Sequence, residues 1–313
     1  MDLKGTEYLY FDDKKGKLGL SKHTLDASGA LPNTLNQIYK AGKAEGLGWV
    51  FYNDESPFED NANSSRGHTK GVLAFDLETN SGFWLINSVP KFPPQDTYTF
   101  PNSGTGNAQT LLCITLHDAD VARQIAEQMR YAHQPNVYLA SPIPKGMAME
   151  DARARLIKND VGMGATPFHA SVQFSSRGGK KFMCLAKNKP WGLDFYNDLV
   201  GPALHDDLDV ETWEHGATPS NMQSDKVHRV VDMKGIDLNK LGYNIRWPEP
   251  DDHAKLAISD RKEDTRYVCV GDINFTLSQR HRGGGTVAFQ CDALWQAISD
   301  ILVGVWLPPK THG

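Results

Sequence analysis

Ser65-Arg66-Gly67-His68-Thr69-Lys70-Gly71 sets an imidazole and an ammonium two positions apart at the mouth of the apolar run Val72 to Phe75. If that run is a strand, side chains alternate between its faces, so His68 and Lys70 project from one face and converge on a single anionic group. A phosphate suits that pair. One His-x-Lys is expected about once by chance in a chain this rich in both residues, and alone it would mark only an exposed strand end. A second copy, His253-Ala254-Lys255, lies in the other half of the chain.

The surroundings of the two copies also repeat. Working outward from His68, Leu31 to Lys43 reads as a helix, Gly48 to Tyr52 as a strand, and Asn53 to Ser65 as an acidic, polar loop carrying Asp54, Glu55, Glu59 and Asp60. After the first strand, the turn Glu78 to Gly82 sends the chain back through Phe83 to Val89, which returns Asn87 and Ser88 to the His68 end. An apolar strand, Thr110 to Leu116, and a helix capped by Asp118 and running to Tyr131 complete the unit. Around His253 the same order is expected: a helical stretch near Leu193 to Leu204, strands at Leu208 to Trp213 and Val227 to Met233, then His253 and Lys255. A charged turn from Asp260 to Thr265, a returning strand Tyr267 to Val270 leading to Asn274, a glycine turn, the strand Val287 to Gln290 and a helix begun by Asp292 follow. This predicts a mixed α/β chain made of two similar halves, residues 1–164 and 165–313, each a β-sheet flanked by helices. Outside the repeat, Gly5 to Asp12 reads as a strand, Ser171 to Phe174 with Phe182 to Ala186 as a hairpin, and the recurrence of Phe-Tyr-Asn-Asp at 51 to 54 and 195 to 198 as coincidence.

Composition narrows the chemistry. The 313 residues suffice for two cores, and the apolar fraction of 40% is that of a globular protein. No apolar run approaches the ~20 residues of a membrane span, and Met1 to Phe11 lacks the basic-then-apolar order of a signal peptide. Cys113, Cys184, Cys269 and Cys291 show no metal-binding spacing, so neither a zinc site nor any other cofactor is expected. The net charge is −5 with the 11 histidines neutral. Near pH 5 the histidines charge and the formal sum rises to roughly +6, which favours a polyanionic partner in acid.

Two half-sites meeting at an interface satisfy the demands of phosphodiester hydrolysis. Lys70 and Lys255 would clamp the non-bridging oxygens while Asn87 and Asn274 donate hydrogen bonds. One histidine would attack phosphorus to give a covalent phosphohistidine, and the other would protonate the leaving oxygen and then activate water.

The motifs carry a resemblance. Ser64 to Leu73, Gly82-Phe83-Trp84-Leu85, Ser88-Val89-Pro90, Phe92-Pro93-Pro94, Gln109 to Cys113, Cys269 to Asn274 and Arg282 to Thr286 together resemble the deoxyribonuclease II family from the first strand to the closing helix. The resemblance implies a metal-independent DNA endonuclease active in acid that leaves 3′-phosphate and 5′-hydroxyl ends. It also implies a fold similar to the phospholipase D superfamily, a pseudo-dimer with the active site between its halves. There the first half's histidine usually attacks, which makes His68 the nucleophile and His253 the general acid. The superfamily pattern His-x-Lys-x4-Asp is met by Asp260 after His253, whereas Asp76 falls one residue late after His68. The family's amino-terminal cysteine, partner of the equivalent of Cys113, is absent; eukaryotic members are lysosomal, and this departure points to a bacterial member.

Arg66, Arg280, His281 and Arg282 are the candidate DNA contacts. Most of the other histidines are expected at the surface. Two alternatives remain open: a phosphodiesterase acting on phospholipid or another diester, and a non-catalytic DNA-binding protein of the same fold. The second His-x-Lys weighs against the latter, because binding needs cations and not a second imidazole.

Overall fold

The computed structural model describes residues 4–304 except 27, 43, 163–165, 215–226 and 261–264. The expected boundary between halves, His215, His312 and most of the turn from Asp260 to Thr265 therefore lie outside the described residues. Near the amino terminus, β1 (Leu9–Tyr10) pairs with β2 (Gly19–Leu20). This ladder is shorter than the strand expected over Gly5 to Asp12, since the register joins only two residues of each segment. Helix α1 (Ala30–Tyr39) follows and buries Leu31, Leu35 and Ile38.

Five antiparallel strands form the first large sheet: β3 (Leu47–Asn53), β4 (Lys70–Asp76), β5 (Ser81–Asn87), β6 (Leu111–Thr115) and β7 (Val137–Ala140), in the order β6-β5-β4-β3-β7. Strand β4 lies at the centre and is buried over six of its seven residues, which explains why its sequence is continuously apolar and not alternating. Asp118 accepts from Asp120 N (2.9 Å) and Val121 N (3.0 Å) and so caps α2 (Ala119–Gln128). That helix ends in a π-helical turn, Met129–His133. Helix α3 (Ala152–Ile157) precedes the second sheet.

The second sheet has seven strands. They are β8 (His169–Ser175), β9 (Lys181–Lys187), β10 (Leu208–Thr212), β11 (Val230–Asp232), β14 (Lys255–Ser259), β15 (Tyr267–Gly271) and β16 (Gly284–Gln290), in the order β11-β10-β14-β15-β16-β9-β8. A separate hairpin, β12 (Gly235–Asp237) with β13 (Arg246–Pro248), sits beside it. The helical stretch before β10 is a π-helical turn, Tyr196–Val200, running into α4 (Gly201–Leu204). Helix α5 (Asp292–Ile301) closes the fold and begins at Asp292 as expected, with Cys291 at its N-cap. Strands β3-β4-β5-β6 and β10-β14-β15-β16 run antiparallel in the same neighbour order.

One apolar cluster joins the sheets: Val50, Leu73 and Trp84 of the first, Ile125 and Met129, and Phe182, Ile258 and Val287 of the second, together with Ile298 of α5. The outer face of the first sheet packs on α1 through Phe51, Val72 and Leu85. The outer face of the second is covered by Phe195, Leu199 and Leu204. His68, Lys70, Asn87, His253, Lys255 and Asp272 are buried polar residues at the heads of β4 and β14 and the ends of their neighbours. No described helix is long and apolar enough to cross a membrane.

Candidate active site

Lys70 and Lys255 are the first residues of β4 and β14, and His68 and His253 precede them by two. The imidazoles are fixed reciprocally. His68 Nδ1 donates to Asp272 O (2.6 Å), one residue past β15, and His253 Nδ1 donates to Ser88 O (2.8 Å), one residue past β5. Their backbones are tied the same way: His68 N donates to Gly283 O and His253 N to Ala108 O, both at 2.8 Å. A carbonyl acceptor at each Nδ1 places the proton there and leaves each Nε2 free for chemistry. Gly67 admits the closeness required, since a Cβ there would stand 1.8 Å from His133 O.

His68, Lys70, Asn87, Ser88, Lys255 and Asp272 line one narrow cleft. Asn87 Oδ1 accepts from Val89 N (3.0 Å), while its Nδ2 is buried without a partner, a donor that suits a phosphate oxygen. Asn274 is buried as well, but it is not among the lining residues, and the atom without a partner is its Oδ1 acceptor.

The lysines differ in their surroundings. Lys70 Nζ is bonded to Asp54 Oδ1 and lies 3.2 Å from Glu55 Oε1. Burial opposes its charge, but these two carboxylates hold its pKa above the ordinary lysine value. Asp54 is itself fully buried; against the opposing effect of burial, Lys70 and Arg282 hold its carboxyl well below the usual range. Lys255 Nζ donates to His253 O (2.7 Å) and stands 6.0 Å from the ring centre of Trp213. Burial and the neighbouring Lys70 push its pKa down to about 7. Burial also depresses both histidines, opposed at His68 by Asp54 and reinforced at both by the surrounding cations, so the neutral imidazole is favoured at each.

Of the expected DNA contacts, His281 is exposed and Arg66 and Arg280 are half-buried. Arg282 turns inward: its Nη2 donates to Asp54 Oδ2 (2.9 Å) and its Nε to Arg66 O (3.1 Å). Asp76 and Asp260 lie at the far ends of β4 and β14, away from the histidines. His133, the last residue of the π-helical turn, is buried with Nδ1 3.5 Å from Asp272 Oδ2, an exception to the surface placement expected of most of the other histidines. Asp54 and Glu55 were read as a solvated loop; the polarity of Asn53 to Ser65 masked them, although Asp54 directly follows the apolar strand β3. Asp272 was missed because it acts through its backbone carbonyl.

Among the described residues, Asp54, Glu55 and His68 are the group of ligand-type side chains close enough to share a cation. Lys70 already contacts both carboxylates, so the donor set is that of an ion pair and not of a vacant metal site.

Comparison with known proteins places this arrangement. The family model described as Deoxyribonuclease II matches residues 1–305. A Burkholderia pseudomallei (strain 1710b) protein named "Putative deoxyribonuclease-2" is 42% identical over 312 residues, covering 98% of this chain and 86% of the relative. Plancitoxin-1 of Acanthaster planci is 33% identical over 301 residues (95% and 82%), and Deoxyribonuclease-2-alpha of Mus musculus is 31% identical over 323 residues (97% and 85%). With the match extending across both His-x-Lys half-sites, the chain belongs to the deoxyribonuclease II family.

Proposed function

We propose that this protein is an endonuclease that hydrolyses DNA phosphodiesters without a metal ion, through a covalent phosphohistidine, at an interface between two phospholipase D-like halves (1–164 and 165–313). The observation that carries the reading is the reciprocal fixing of His68 and His253, each held through Nδ1 by a carbonyl past the return strand of the other sheet. Neutral His68 attacks phosphorus through Nε2, and the P–O5′ bond breaks as His253 gives its proton to the departing oxygen. Water, deprotonated by His253, then attacks the phosphohistidine; 3′-phosphate leaves and His68 is regenerated. Lys70, Lys255 and Asn87 stabilise the charge on the non-bridging oxygens.

Acid serves the proton balance. Burial and, after it, Lys255 and Lys70 depress His253; an anionic diester beside the ring favours its protonated form and so raises its affinity for the proton it must donate. Cleavage of supercoiled plasmid at pH 5 in excess chelator, yielding 3′-phosphate ends on a defined oligonucleotide, is the expected outcome. Products with 5′-phosphate ends would exclude the mechanism. Lipid turnover without DNA cleavage would favour a phosphodiesterase for another diester, and DNA retention without cleavage a binding protein.

A further inference from the structure

Lys187 ends β9 behind the 279–283 turn, and the chemistry above makes no use of it. Its side chain is fully buried. The ammonium donates to three backbone carbonyls: Gln279 O (2.9 Å), Arg280 O (3.1 Å) and Arg282 O. An ammonium has three donors and no acceptor, so the cage and the cation match in number. The caged turn in turn grips the first half-site. Gly283 O accepts from His68 N (2.8 Å), and Arg282 reaches Asp54 Oδ2 and Arg66 O.

We infer that Lys187 is a positioning residue for the cleavage reaction, holding the Gln279 to Gly283 turn so that Arg282 and the Gly283 carbonyl keep Asp54, Lys70 and His68 in register. The inference rests on the nuclease reading. A side chain without donors would leave buried carbonyls short of partners, and the turn would shift to find others. The charged groups facing the ammonium are Asp194, which favours its proton, and Arg282, which together with the stronger effect of burial disfavours it; the balance sets its pKa at about 7. Deprotonation would leave the amine two donors for three carbonyls, so the turn is held more tightly in acid.

With folding checked by circular dichroism, Lys187→Met is expected to lower kcat on DNA at pH 5 on the order of 100-fold while KM stays within about threefold, the signature of misplacement and not of lost binding. Lys187→Gln retains two donors and loses about tenfold. In an Arg282→Ala background, Lys187→Met adds less than about threefold, because the two act through one turn. A folded Lys187→Met with wild-type kcat, or effects that multiply fully with Arg282→Ala, would overturn the inference. If Lys187→Met does not fold, Lys187→Gln decides: at pH 5, amide exchange at 279–283 should accelerate over the wild type about tenfold more than in β9. Equal acceleration would refute the role, and because this readout needs no turnover, it stands apart from any failure of the nuclease reading.

Discussion

Lys70 and Lys255 begin matching strands, and each faces the last residue of its neighbour across the ladder, Asn53 in β3 and Thr212 in β10. The residues that follow make the half-sites unlike. After Asn53 come Asp54 and Glu55, which both contact Lys70. After Thr212 come Trp213, whose ring packs 4.5 Å from that of His253, and Glu214, which turns to Lys234 at 3.6 Å. Asp54, Glu55, Lys70 and Arg282 thus form a neutral set, two charges of each sign. Among the described residues no carboxylate lies within ion-pair distance of Lys255, so in the proposed mechanism its charge is the less compensated of the two that meet the phosphate. A repeated motif has become a framed half-site and a charged one.

The largest expected effect separates the two imidazoles. On DNA, His68→Ala and His253→Ala should each lower cleavage by at least about 10⁴-fold, as when residues of one catalytic unit are removed. A nitrophenyl phosphodiester, whose leaving group departs without a proton, breaks that equivalence. His253→Ala should release a burst of about one nitrophenolate per enzyme and stall as a phosphorylated protein labelled at His68, whereas His68→Ala should release none. A label on His253 would exchange the two roles.

The lysines should then differ in the sign of their effect on stability. The folded pKa of Lys70 is raised, so its stabilisation is present below its unfolded value and is lost only as pH rises through the folded one. Lys70→Met leaves Asp54 buried beside one cation fewer, and should cost about 3–5 kcal/mol at pH 5. Lys255 has the opposite linkage. With its folded pKa near 7, the unfolded chain binds the extra proton between about pH 7 and 10.5, and below that window the whole penalty is felt. Lys255→Met should therefore stabilise the protein at pH 5 by about 1–4 kcal/mol while lowering activity by about 10²-fold. Thermal unfolding at pH 5 checks both; a destabilised Lys255→Met would mean that its charge is balanced within the protein.

How much of this was legible follows from which interactions are local. The strand heads, the hairpin returning Asn87 and Ser88, and the Asp118 cap rest on neighbouring residues, and periodicity and turn chemistry read them directly. Strand β7 is four residues long and follows a π-helical turn, so it offers no period to read. The short β12–β13 hairpin has no tight-turn signal. Asp54 and Lys187 are polar residues whose partners lie far along the chain, and composition assigns such residues to solvent. Arg282 was read as a DNA contact, and its pairing with Asp54 was not legible because Asp54 was itself read as a loop residue.

The smallest effect tests the asymmetry most directly. In the wild type, kcat/KM should fall above about pH 7 as Lys255 loses its proton and the phosphate loses its counter-ion. Trp213→Asp gives the second half-site the carboxylate of the first, and Trp213→Asn is the uncharged control for the lost ring. A carboxylate beside Lys255 favours its ammonium, so the alkaline limb should move up by about one pH unit in the Asp variant relative to the Asn variant. The same carboxylate competes with the substrate for that ammonium, so kcat/KM at pH 5 should fall roughly tenfold relative to Trp213→Asn. If the limb stays in place while the pH 5 activity falls, it belongs to a histidine in the bound complex and not to Lys255. If neither changes, the charge of Lys255 is not what meets the phosphate, and the two half-sites are electrostatically equivalent despite their different neighbours.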